Sequence, residues 1–267
     1  MGSKSRIAKH IVPIIQRRME DYNIKTFIDC FCGGCNIIDK VKCNKKIASD
    51  NNEFLIELFK HKNELNVLPD IVTKEHYSEC RQAYYDKDFS KYPQWYIGAI
   101  GFLASYSGRF YDGGFNGQGF LDGRSKRNYY DEAKRNLLAQ INSLDGIEFR
   151  CGDYEELYSD DIYDCLIYCD IPYKDTKQYN TSLNFDYDRF WNWAEKMSEK
   201  NIVLVSEYQA PNDWECIWQK DLPKTMNHGN NVQSVEKLFI YKHKQWKADK
   251  RFVLTVKILL LDTLRSV

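Results

Sequence analysis

The residues Cys169-Asp170-Ile171-Pro172-Tyr173 carry the sharpest chemical pattern in the chain. An apolar run ends in a carboxylate, continues through a backbone that Pro172 constrains, and closes on an aromatic ring. This grouping suits an exocyclic amine on a flat heterocycle. The Asp170 carboxylate and the Ile171 carbonyl can each accept one N–H, while Tyr173 stacks on the ring. Accepting both protons keeps the amine lone pair from delocalising into the ring, which makes the nitrogen a better nucleophile. Hydrogen bonds to a charged group contribute roughly 1.5–3 kcal/mol, and base–aromatic stacking about 1–3 kcal/mol. A Pro-Tyr turn is also an ordinary way to leave a strand, so the pattern gains weight only in company.

Company is present. Asp29 in Phe-Ile-Asp-Cys-Phe, Asp50 after Lys46 to Ser49, and Asp153 in Cys-Gly-Asp-Tyr also end short runs that read as strands. A strand-end aspartate can simply cap the next helix, but four of them point past capping alone. In an open parallel sheet, ligands bind outside the carboxyl ends of the strands. The loop Phe31-Cys32-Gly33-Gly34-Cys35 lets backbone approach a ligand closely. It lacks the GxGxxG spacing of a dinucleotide site, which favours a ligand without phosphates.

A sheet must position these residues. Residues 25–31, 46–49, 147–152, 164–169 and 202–205 read as short strands. Helical patterns separate them, with Phe54, Leu55, Leu58 and Phe59 on one face and a further helix over 186–199. That alternation predicts an α/β fold whose parallel sheet is covered on both faces. Glu236 to Tyr241 reads as a late antiparallel strand at the sheet edge. Between the second and third strands, helical stretches near 73–85, 92–107 and 128–142 surround a glycine-rich segment, Gly108 to Gly123, expected to form a hairpin or loop. The expected division is a core domain from residues 1–60 and 145–242, an inserted mainly helical subdomain from 61–144, and a tail from 243–267 of unassigned role.

The 267 residues balance 38 Lys+Arg against 38 Asp+Glu. No global basic excess argues for nucleic acid, which leaves that task to a local basic face. A hydrophobic share of 43% excludes wholesale disorder. Nine cysteines, an odd number, do not form the pattern of a disulfide framework. There is no secretory h-region and no apolar run of about 18 residues. The expectation is a reduced, cytoplasmic protein with no membrane partner, a monomer or weak dimer. Cys32 and Cys35 form a CxxC without a second pair, and the histidines are scattered, so no metal is expected.

Together these residues resemble the Dam-type (D12 class) DNA adenine-N6 methyltransferases, particularly phage-like orphan members. Asp29-Cys30-Phe31-Cys32-Gly33-Gly34 is similar to the family's DxFxGxG donor loop, and Asp170-Ile171-Pro172-Tyr173 to its DPPY motif, continued by Thr176 and Tyr179. Lys4-Ser-Arg-Ile-Ala-Lys9 is similar to an N-terminal segment that begins and ends in lysine and lies against the methyl donor. The resemblance spans about residues 4–242 in the family's order. It implies a Rossmann-like methyltransferase sheet, S-adenosylmethionine as donor, no metal, and an adenine flipped out of double-stranded DNA as acceptor.

Residue by residue, the resemblance implies that Lys9, Asp29, Phe31 and Gly33 line the donor pocket and that Asp50 holds the ribose hydroxyls. Asp153 would accept from the donor's adenine amine, with Tyr154 close by, and Asp170, Ile171, Pro172 and Tyr173 would hold the target base. Ser107-Gly108-Arg109-Phe110 and Phe115-Asn116-Gly117 are similar to the family's recognition hairpin, in which Arg109 would read a guanine edge. Arg124, Lys126 and Arg127 would meet phosphates. The chain departs from the family by Ile171 in place of proline and by Ile7-Ala8 in place of two glycines. Neither change removes a reacting group. Two other functions stay open at this level: methyl transfer to RNA or a protein amide, and DNA binding with weak or no turnover.

Overall fold

The computed structural model describes residues 4–121, 125–159, 161–174, 185–222 and 234–242. Its strands are β1 (Thr26–Asp29), β2 (Lys45–Asp50), β3 (Gln118–Leu121), β4 (Ser125–Asn128), β5 (Ile147–Cys151), β6 (Cys165–Asp170), β7 (Ile202–Glu207), β8 (Trp214–Leu222) and β9 (Ser234–Tyr241). Seven of them form one sheet in the order β5-β2-β1-β6-β7-β9-β8, and β3 with β4 forms a separate hairpin. β5, β2, β1, β6 and β7 run parallel, with Thr26 in register with Lys45 on one side and Cys165 on the other. β9 joins β7 antiparallel, and β8 lies outside β9. The strand order reverses between β1 and β6. This is a Rossmann-like sheet, and its switch point is where the four strand-end aspartates were expected to meet.

Each central strand serves two cores, because successive side chains point to opposite faces. Phe27, Leu166 and Leu204 enter one apolar cluster, whereas Ile28, Ile167 and Val205 enter the other. The first face is covered by helix α1 (Ser5–Asp21), whose Ile7, Ala8, Ile11, Ile15 and Met19 recur at helical spacing and are buried. The second face is covered by the one-turn α6 (Tyr154–Leu157) and by α7 (Tyr187–Met197), through Phe190, Trp193, Ala194 and Met197.

The segment between β2 and β5 holds α2 (Glu53–Lys60), α3 (Lys74–Asp86), α4 (Gln94–Leu103) and α5 (Tyr129–Gln140) besides the hairpin. It has an apolar cluster of its own, which includes Tyr77, Cys80, Trp95, Ile100, Tyr111 and Tyr130. Helix α2 serves as the joint. Phe54 and Leu58 point into this cluster, while Leu55, Ile56 and Phe59 belong to the first core of the sheet. The joint is tight at Gly98 of α4, where a Cβ would lie 2.3 Å from the Phe54 carbonyl oxygen. The tail from 243 to 267, Thr176, Tyr179 and Arg124 lie outside the described residues. No helix among the described residues is long and apolar enough to cross a membrane.

Candidate active site

On the β1–β2 side of the switch point, three carboxylates are held mostly by nearby backbone. Asp29 closes β1 and is 2% exposed. Burial pushes its carboxyl well above the usual range, Asp170 and Asp50 push it further, and a hydrogen bond from the Ile38 backbone opposes them. Asp50 accepts the Gly33 N–H at 3.2 Å on Oδ2 and the Asn52 N–H at 3.0 Å on Oδ1. Gly33 makes that turn with a φ of +45°, which glycine adopts without strain. Burial raises the Asp50 carboxyl, and the backbone donors partly offset it. Asp153 caps α6 by accepting the Glu155 N–H at 2.9 Å. It also accepts from Arg189 Nη2 at 2.7 Å and Nη1 at 3.2 Å. Tyr154 packs beside Phe31, with ring centroids 5.5 Å apart, and burial pushes its hydroxyl up to about 12. Phe185 closes on both rings.

On the β6–β7 side the arrangement is a cluster of side chains from distant parts of the chain. Lys4, at the start of α1, places Nζ 3.0 Å from Asp170 Oδ1 and 2.9 Å from Glu236 Oε2. It also donates to the Tyr173 hydroxyl and stands 4.4 Å from the centroid of that ring. The Tyr173 hydroxyl donates to Glu236 Oε2 at 2.5 Å. Burial pulls the Lys4 ammonium down, but the two carboxylates outweigh it and hold its pKa above the ordinary lysine value. Burial raises the Asp170 carboxyl and the Lys4 charge opposes it. Burial, then Asp170 and Glu236, raise the Tyr173 hydroxyl well above the usual range.

Asp170 keeps 20% of its side chain exposed, so one side of the carboxylate remains reachable. Ile171 is buried in the second core, and the segment that follows is tied from outside. The Tyr187 hydroxyl donates to the Pro172 carbonyl at 3.0 Å, and Glu207 Oε2 accepts the Lys174 N–H at 3.2 Å. These tethers restrain the loop where Ile171 replaces the more rigid proline.

Lys9 does not join this edge. It lies exposed on α1 because the buried face of that helix is set by Ile7, Ala8 and Ile11. Lys4, the other end of the same motif, is the lysine that reaches the carboxylates. Arg109 is half-buried after a short 3-10 turn, Tyr106–Gly108, in which Ser107 takes a left-handed conformation with φ of 55°. Asn116 donates its N–H to the Ala104 carbonyl at 2.8 Å, which ties the two ends of that loop together. Arg127 forms a paired contact with Glu132, at 2.6 Å from Nε and 2.5 Å from Nη2. Lys126 sits in β4, in register with Phe120.

The sequence reading named Lys4 only as the start of the N-terminal segment, and did not single out Glu236, Arg189 or Phe185 for a role at the site. Glu236 had a signal, since an antiparallel strand following β7 must begin at the carboxyl edge of the sheet. The Asp186 N-cap of α7 accepts from the Arg189 backbone, and the same first turn aims the Arg189 side chain at Asp153. Cys32 and Cys35 are buried in the first core. No group of three His, Cys, Asp or Glu among the described residues could hold a metal ion. Two cavities of about 620 and 590 Å³ flank the edge, one against α6 and α7 and one between Gly34, α2, α4 and α5. Neither is lined by Asp170 or Tyr173.

A Rossmann-like sheet with strand-end carboxylates on one side of its switch point and Asp-Ile-Pro-Tyr on the other defines a class. The chain belongs to the D12 class N6 adenine-specific DNA methyltransferase family, whose model matches residues 1–210. Among individual proteins, it is 26% identical over 189 residues to the Type II methyltransferase M.FokI of Planomicrobium okeanokoites. That match covers 65% of this chain, and the chain spans 28% of that relative's length. An RNA methyltransferase from Salinibacter ruber, solved with S-adenosyl-L-homocysteine, aligns with a TM-score of 0.35 at 8% identity, covering 88% of this chain and 94% of that one. SMU.472, described as a putative methyltransferase complexed with SAH, aligns at a TM-score of 0.33 and 11% identity, covering 83% and 49%.

Proposed function

We propose that this chain methylates the N6 amine of adenine in double-stranded DNA. The observation that carries the reading is the Asp170–Tyr173 pair, a reachable carboxylate beside an aromatic ring at the switch point of the sheet. When bound, S-adenosylmethionine supplies the methyl group. The residues on the β1–β2 side suit it, because the crowding of Asp29, Asp50 and Asp170 favours a cationic ligand. Asp50 faces the backbone donors of Gly33, Asn51 and Asn52, and a carboxylate has about four acceptor positions. It can therefore hold a ribose hydroxyl without releasing its loop. Phe31 and Tyr154 give a flat apolar wall for an adenine ring, and Asp153 can accept from its amine. Of the two lysines of the motif, Lys4 stands at the acidic edge beside Asp170 and Glu236 and Lys9 is exposed.

At the acceptor side, Asp170 takes one proton of the target amine in a hydrogen bond and the Ile171 carbonyl takes the other. Tyr173 stacks on the base. The base must leave the duplex to reach them, and catalysis by the chain is then positioning and electrostatics. Arg109 is the residue assigned to a base edge, with Asn116 holding its loop. Arg124, Lys126 and Arg127 are assigned to phosphates, and Arg127 must share its guanidinium with Glu132 to do so.

The test is to incubate the protein with labelled donor and compare duplex DNA, RNA and protein as acceptors, then map N6-methyladenine by sequencing. Label in duplex adenine at a defined short site is the expected result. Label confined to RNA or protein would overturn the substrate, and DNA retention without label would make the chain a binding protein that has lost turnover.

A further inference from the structure

Glu236 lies outside both motifs, yet its carboxylate is where two groups of the acceptor side converge. Lys4 Nζ at 2.9 Å and the Tyr173 hydroxyl at 2.5 Å share its Oε2 atom. The residue reaches them because β9 runs antiparallel to β7. Glu207, the last residue of β7, pairs with Lys237, so the chain enters β9 at the carboxyl edge of the sheet. The Glu236 side chain is 12% exposed and that of Lys4 10%, so both charges have little water to compensate them.

We propose that Glu236 is a positioning residue for the target base: it shares the Lys4 ammonium and so keeps the Asp170 carboxylate available to an incoming amine. This inference rests on the methyltransferase reading. An ammonium has three N–H donors, and here they face Asp170, Glu236 and the Tyr173 hydroxyl. Lys4 already makes with Asp170 the polar contact expected of a flipped adenine, a donated hydrogen bond. Lys4 is therefore a rival for the base pocket. With Glu236 ionised, the three charges sum to one negative and the rival is divided between two acceptors. Without that charge, Lys4 and Asp170 neutralise each other in a site that excludes water, where an ion pair is hard to break. The base would then have to displace the whole ammonium.

Glu236→Gln keeps the shape and an acceptor for Tyr173 while removing the charge. Turnover with saturating duplex and donor is expected to fall about tenfold, the scale of one hydrogen bond to a charged group, with the KM for donor unchanged. Fluorescence of 2-aminopurine, placed at the adenine that sequencing identifies as methylated, is expected to stay unchanged, because that base has no amine at C6 to compete with Lys4 for Asp170. In the Lys4→Met background the same Glu236→Gln change is expected to have no further effect on turnover, because the rival is gone. Glu236→Asp, which retains the charge, is expected to stay near the wild-type rate and serves as the comparison should the glutamine variant fold poorly. A double variant as impaired as Glu236→Gln alone, or an unimpaired Glu236→Gln, would overturn the proposal and leave the methyltransferase reading standing. Absence of any label in duplex adenine with the wild-type chain would remove both.

Discussion

The two halves of the sheet hold their carboxylates by different means. On the β1–β2 side, Asp50 is fixed by backbone N–H groups of Asn52 and of the Gly33 turn, and Asp153 by the Glu155 N–H together with the Arg189 side chain. On the β6–β7 side, Asp170 is fixed by Lys4, which is itself fixed by Glu236 from the last described strand. The first arrangement rests mainly on backbone donors, with one exposed side-chain pair added at Asp153. The second is a chain of charges in which each member sets the state of the next, as expected where water is scarce. On the proposed function, the first arrangement suits a donor site that must simply hold its ligand, and the second an acceptor site that must admit a base and release it.

That contrast breaks first at Asp170. Asp170→Ala is expected to lower turnover by at least about two orders of magnitude, the cost of one essential polar contact in a reacting site, with donor affinity by calorimetry changed far less. Because burial raises this carboxyl, the wild-type rate is also expected to fall on acidification at a pH above the ordinary carboxylate range. A rate that holds through that range would detach Asp170 from the chemistry. Asp50→Ala is expected to weaken donor binding by about tenfold or more, with little effect on base capture measured by fluorescence. Equal loss in both measurements would dissolve the distinction between the halves.

Asp29 gives a smaller effect with a definite sign. Its folded pKa is raised, so the folded state binds the proton more tightly than the unfolded chain does. Its contribution to stability therefore falls as pH rises from about 4, the ordinary carboxylate value, toward the raised folded value. Asp29→Asn is expected to raise the melting midpoint of the ligand-free protein at neutral pH, by about 2–4 °C for each kcal/mol removed. The gain should vanish near pH ~4, and a gain independent of pH would mean that the charge is not its cause. Arg189→Ala should matter least. Its guanidinium is 43% exposed beside Asp153 and Glu155, and such pairs contribute about 0–1 kcal/mol, so donor affinity should move by less than about fivefold.

The β1–β2 half was also the legible half. Asp29, Asp50 and Asp153 each sit at the end of a recognisable strand, and the order of those strands leads to the switch point. The insert was legible in outline because α3 and α5 alternate apolar and polar residues at helical spacing, while α4 is a ten-residue run that is mostly buried. Helix α1 was not read as an element, and with it went the means to choose between Lys4 and Lys9. Once the buried positions Ile7, Ala8, Ile11 and Ile15 are known, Lys9 must face outward. Strand β8 was missed because a bulge between Cys216 and Trp218 shifts its alternation. Glu236 was hidden by distance: its partner Lys4 is 232 residues earlier, and no local pattern ties them.

The close seat of Gly98 against Phe54 bears on the placement of Arg109. With a carbonyl oxygen filling the space a methyl group would need, residue 98 cannot carry a side chain unless α4 moves off α2. The loop that carries Arg109 follows directly from the end of α4, so a shift of that helix would move it. On the proposed function, a bulkier residue at 98 would therefore displace the residue assigned to a base edge without altering that residue itself.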